Sequence, residues 1–78
     1  MIFYLTIPNE IDRNAMAADI RHLIEHYGVD TTTYRPENPK RDIGIEAKNT
    51  ISQKLLGRII GLIQRRGYEI TSSQQDNQ

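Results

Sequence analysis

The stretch that decides the fold is VDTTTYRPENPKRDIGIEA, residues 29–47. Val29 to Arg35 is rich in β-branched residues and reads as a strand. Pro36 and Pro39 bracket the turn PENPK, residues 36–40, and forbid regular strand pairing there. In DIGIEA, residues 42–47, Ile43, Ile45 and Ala47 alternate with Asp42, Gly44 and Glu46. That is a period of two with one buried face. Residues 29–47 therefore predict a hairpin whose other face meets water or a partner.

Working outward, a helical pattern flanks the hairpin on each side. Before it, Met16, Ile20, Leu23, Ile24 and Tyr27 recur at helical spacing. Asn9 stands in N-cap position, with Asp12 as a second possible cap. Glu10 and Asp12 in the first turn suit the helix dipole, and Gly28 ends the pattern. The prediction is an amphipathic helix over 10–27. Further out, IFYLTI, residues 2–7, is β-branched and aromatic and stops at Pro8. Apolar residues on both of its faces predict a central strand. After the hairpin, Thr50-Ile51-Ser52-Gln53 has the form of a capping box. It predicts a second helix over 51–66, stopped by Gly67. YEITS, 68–72, predicts a short last strand, and 73–78 a disordered tail with nothing to bury.

The resulting order is β-α-β-β-α-β in one domain, residues 1–72. It fits a ferredoxin-like two-layer α+β sandwich. The sheet would be antiparallel, with strand order 4-1-3-2 and both helices on one face. If the last strand does not pair, the alternative is βαββα with a three-stranded sheet. Such a fold hosts enzymes, metal carriers, RNA binders and ligand sensors, so function must be argued from residues.

Composition narrows the classes. The chain has 78 residues, ten basic and ten acidic, and no cysteine. Neither disulfides nor thiolate metal sites are available, and a reducing compartment fits. MIFYLTIP is too short to span a membrane and lacks signal-peptide features. A soluble, cytoplasmic protein is the expectation. No nucleophile elbow, P-loop or dinucleotide fingerprint is present, which argues against an enzyme and implies no cofactor.

The second helix holds the most informative segment, LLGRIIGLIQRRG, residues 55–67. Gly57 and Gly61 interrupt a good helix, each at about 1 kcal/mol against alanine. On a wheel at about 100° per residue, Leu56, Ile59, Ile60 and Ile63 form the expected core stripe. Ile51, Leu55 and Leu62 lie further round. They would pack on the first helix or mark a dimer or partner surface. Lys54, Arg58 and Arg65 share a narrow band, with Gly61 beside it and Gly57 beyond. The glycines reflect chance, helix packing or close approach by a partner.

Other constellations are weaker. His22, His26 and Asp19 share a face of the first helix at metal-ligand spacing, but solvated polar residues belong there and no metal is expected. Tyr4 would project from the open sheet face, like a stacking aromatic of an RNA-binding module. Asp42 and Glu46 beside it would repel phosphate. Arg35, Lys40 and Arg41 cluster at the hairpin. With Lys54, Arg58, Arg65 and Arg66 they make seven of the ten basic residues.

The favoured reading is a small non-enzymatic regulator, adaptor or inhibitor of a larger protein. Its contacts would come from Lys54, Leu55, Arg58, Gly61, Leu62 and Arg65, helped by the hairpin. The alternative is a nucleic-acid-binding module in which Arg35, Lys40, Arg41, Lys54, Arg58 and Arg65 meet phosphates. A dimeric ligand or metal sensor is a minor third reading, and homodimerisation, through the open sheet face or an edge strand, is compatible with all three.

Overall fold

A computed structural model describes residues 1–34 and 36–74, with side chains placed through Ile70. The chain is α+β. The strands β1 (Ile2–Thr6), β2 (Thr31–Tyr34) and β3 (Asp42–Ala47) form an antiparallel sheet in the order β2-β3-β1. Two helices, α1 (Glu10–His26) and α2 (Gln53–Arg65), pack into one core with it. Beyond α2, the segment β4 (Ile70–Gln74) lies antiparallel to β1, with a register shift between Tyr4 and Leu5. The last strand was expected at 68–72, two residues earlier. Tyr68 precedes it and packs against the core. The expected tail overlaps β4 at 73–74, and its remainder, 75–78, lies outside the described residues. No helix among the described residues is long and apolar enough to cross a membrane.

Strand alternation explains the layers. Phe3 and Leu5 are buried on one face of β1, opposite Ile45 and Ile43 of β3, and Ile7 just past the strand is buried with them. Met16, Ile20 and Ile24 of α1 and Leu55, Ile59 and Ile63 of α2 close over them. The other sheet face carries Tyr4, Gly44 and Tyr34 in one row across three strands. Gly44 is buried there because the tyrosines cover it. A Cβ added at Gly44 would stand 3.0 Å from both Tyr34 Cβ and Tyr4 Cε1. Aromatic rings laid over a strand glycine restore the packing that its missing side chain forgoes.

The helix ends follow their capping chemistry. Asn9 Oδ1 accepts from Asp12 N at 3.1 Å, as expected for the first helix. Gly28, with φ of 79°, ends that helix in the left-handed region. α2 departs from expectation at its start. Its N-cap is Ser52, whose Oγ accepts from Leu55 N at 3.2 Å, and the helix begins at Gln53 rather than 51. Thr50 is not the cap, so no capping box forms. At the other end Gly67 N donates to Gln64 O and Tyr68 N to Ile63 O. With φ of 80° at Gly67, that is a Schellman closure.

One buried charge joins the layers. Arg13 is only 7% exposed. Its Nη1 donates to Ile7 O at 3.0 Å, Pro8 O at 3.4 Å and Lys40 O at 2.7 Å. It thereby ties the end of β1 and the start of α1 to the β2–β3 loop. Ile7 N reinforces the tie by donating to Arg41 O at 2.6 Å.

Two substitutions test this packing. Arg13→Met keeps much of the buried volume but strands three carbonyls. Urea unfolding should show a loss of about 2–3 kcal/mol, the range of a charged hydrogen-bonded group. Gly44→Ala should lose about 1–3 kcal/mol by overpacking, because Tyr34 Cβ cannot swing aside as the Tyr4 ring can.

Candidate functional site

The outer face of α2 is built by the way its core face is turned. Leu55, Ile59 and Ile63 are the fully buried residues of the helix. The buried stripe is thus centred on Ile59, about 50° from the middle of the expected stripe of Leu56, Ile59, Ile60 and Ile63. The shift corrects two expectations. Leu55 is 1% exposed and belongs to the core, so it offers nothing to a partner. Leu56 and Ile60, expected in the core stripe, are half-buried. Ile51, Leu56 and Leu62 pack against the core from its margins, which absorbs most of the apolar arc that looked surplus.

Gly57 and Gly61 fall on the side of α2 turned away from the core. A Cβ built on either meets nothing within 4 Å. Packing between helices of this chain is therefore not what the glycines serve. Neither has a positive φ, so an ordinary residue would adopt the same backbone. Their bare surface exposes helix carbonyls, and Arg65 Nε donates to Gly61 O at 3.2 Å.

Lys54 and Arg58 flank the glycines, and both are exposed. Among the described residues neither makes a hydrogen bond or an ion pair. Arg66 differs. Its Nη2 pairs with Asp19 Oδ2 at 2.6 Å and links α2 to α1. Both side chains are more than 40% exposed, so solvent screens this pair and it adds little stability. No group of three or more metal-ligating side chains forms among the described residues.

At the hairpin, Lys40 and Arg41 are exposed, with backbone oxygens engaged by Arg13 and Ile7. Arg35 lies outside the described residues. The hairpin cations and the α2 stripe thus stand on separate elements. On the open sheet face, Asp42, Gly44 and Glu46 occupy the β3 positions beside Thr6, Tyr4 and Ile2.

A cavity of about 280 Å³ lies between the start of α1 and the β2–β3 hairpin. Sequence reasoning missed it, and missed Arg13 on its wall. A signal was present. Arg13 stands three and four residues before Met16 and Ala17, in phase with the buried stripe of α1. A cation in that phase must find acceptors inside the fold.

Gly57→Ala and Gly61→Ala should each stabilise the protein by about 1 kcal/mol, since helix propensity changes with no clash. Gly67→Ala should destabilise by about 1 kcal/mol, because it forces a side chain into the left-handed region. Thermal unfolding followed by circular dichroism checks all three. No family model matches the chain, and no curated protein or solved structure shows significant similarity to it.

Proposed function

We propose that this chain is a small non-enzymatic protein-binding regulator, adaptor or inhibitor that works in the cytoplasm through the outer face of α2. One observation carries the reading. Two adjacent turns of α2 hold glycines with empty space above them, beside two cations that have no partner among the described residues. Such a face admits the close approach of another backbone, and Lys54, Arg58 and Arg65 would meet acidic groups on the incoming protein. Leu62 borders this face and adds apolar contact; Leu55 does not take part. Small hydrophobic area and modest charge suit a contact whose ionic part weakens with salt while its packed part persists.

We also infer that β4 completes a βαββαβ ferredoxin-like sandwich. The antiparallel register from Ile2 opposite Gln74 to Leu5 opposite Ile70 supports it. In that arrangement α2 is the crossover to the last strand, and its outer face is the broad solvent side of the helix layer.

The test is affinity capture from host lysate with wild type, Arg58→Glu and Gly61→Leu, each checked for native circular dichroism. Wild type should retain a discrete set of proteins, with or without nuclease. Each variant should retain it at least roughly tenfold less, a difference of about 1.4 kcal/mol. Equal capture by all three would remove α2 as the functional surface. Capture that disappears with nuclease would transfer the basic stripe to nucleic-acid binding.

A further inference from the structure

We propose that the cavity between α1 and the β2–β3 hairpin is a binding site for a free α-amino acid, held by Arg13 at its carboxylate and Asp42 at its ammonium group. The site is independent of the α2 face. Its volume, about 280 Å³, lies just below the range of drug-sized pockets, about 300–1,000 Å³, and suits a smaller occupant.

Arg13 supplies the positive end. Only Nη1 is engaged, by three main-chain carbonyls. Nε and Nη2 have no partner among the described residues, yet neither is sealed from solvent. A guanidinium held rigidly by one nitrogen presents its remaining N–H groups in a fixed fork, the geometry that a carboxylate accepts.

Asp42 supplies the negative end. Its Oδ1 is buried without a hydrogen-bond partner. Its Oδ2 also has none among the described residues but is reached by solvent. Rotation about the Cβ–Cγ bond exchanges the two oxygens at little cost. A buried carboxylate oxygen such as Oδ1, without a donor, is unfavourable until one is supplied. Arg13 does not supply it. The two side chains line the same cavity, yet the ion pair formed among the described residues is the one between Arg66 and Asp19. Arg13 and Asp42 thus stay more than 4.0 Å apart.

Those two charges select the class of ligand. A simple anion would meet Arg13 but face Asp42 and the nearby Glu10. A simple cation would meet the carboxylates but face the guanidinium. A molecule with a carboxylate and an ammonium on neighbouring atoms satisfies both. Tyr34, Pro36, Pro39 and Ile43 form an apolar wall for its side chain.

The experiment is a titration of ¹⁵N-labelled full-length protein with the common free amino acids, each to about 10 mM, a concentration that saturates millimolar sites. The same amino acids are added as N-acetyl derivatives, which lose the ammonium, and as methyl esters, which lose the carboxylate. At least one free amino acid should give saturable shifts at Asn14, Thr33 and Ile43. Both blocked forms should bind at least about tenfold more weakly, as should the Asp42→Asn variant. The wild-type ligand series stands even if that variant fails to fold. No saturable shift with any amino acid overturns the proposal. Equal binding of either blocked form, or of Asp42→Asn with native spectra, overturns it as well.

Discussion

The guanidinium of Arg13 is the contact on which the rest of the architecture depends. The β2–β3 loop contains Pro36 and Pro39, which have no N–H to give. The end of β1 likewise runs into Pro8. Ile7, Pro8 and Lys40 lie outside the paired strands, and carbonyls drawn away from water need donors. Arg13 donates to three of them from a single nitrogen. This brings the loop onto the start of α1 and lets Ile7 reach Arg41 across the gap. The loop in turn walls the cavity that Arg13 lines. One cation thus shapes both the end of the sheet and the space beside it.

The two sides of the helical layer are treated differently. Toward the core, the chain commits branched and aromatic side chains: Phe3, Leu5, Ile20, Ile45, Ile59 and Ile63 are buried almost completely. Away from it, α2 forgoes side chains at Gly57 and Gly61 and so forgoes intrinsic helix stability. Gly44 is the opposite case. Its missing side chain is replaced by two tyrosines, so the open sheet face is closed over by aromatic rings at its centre. At Gly44, Gly57 and Gly61 glycine therefore does two unlike things: it lets rings settle on the sheet, and it leaves α2 bare.

Much of the fold was legible because local chemistry and period agreed. Asn9 caps the first helix as read, Gly28 and Gly67 end both helices, and Ile43 and Ile45 face inward from the alternation. Three features were not legible. The cap of α2 moved from Thr50 to Ser52, since two hydroxyl residues two apart offer the same local chemistry and packing chooses between them. The core stripe of α2 turned toward Leu55, because a wheel counts apolar residues without knowing where α1 lies against the helix. The role of Arg13 depends on a loop about 27 residues later in the chain folding back over it. Single-residue reading sees only another helix arginine. For the candidate face, the stripe of Lys54, Arg58, Gly61 and Arg65 was readable as a band. That the glycines are uncovered, and that Arg66 is engaged by Asp19, needed the fold.

The pairing of β1 also bears on how the chain acquires its structure during synthesis. Phe3 faces Ile45 and Leu5 faces Ile43. β1 is made before β3 and so finds this neighbour only after residue 42 has been made. Before that, the amphipathic face of α1, with Met16, Ile20 and Ile24, is the apolar surface next to β1 in the chain. A strand with both edges open is prone to pair with other chains. The helix that follows it at once, capped by Asn9, is the nearest cover. The long first helix therefore shields a nascent strand as well as roofing the finished sheet.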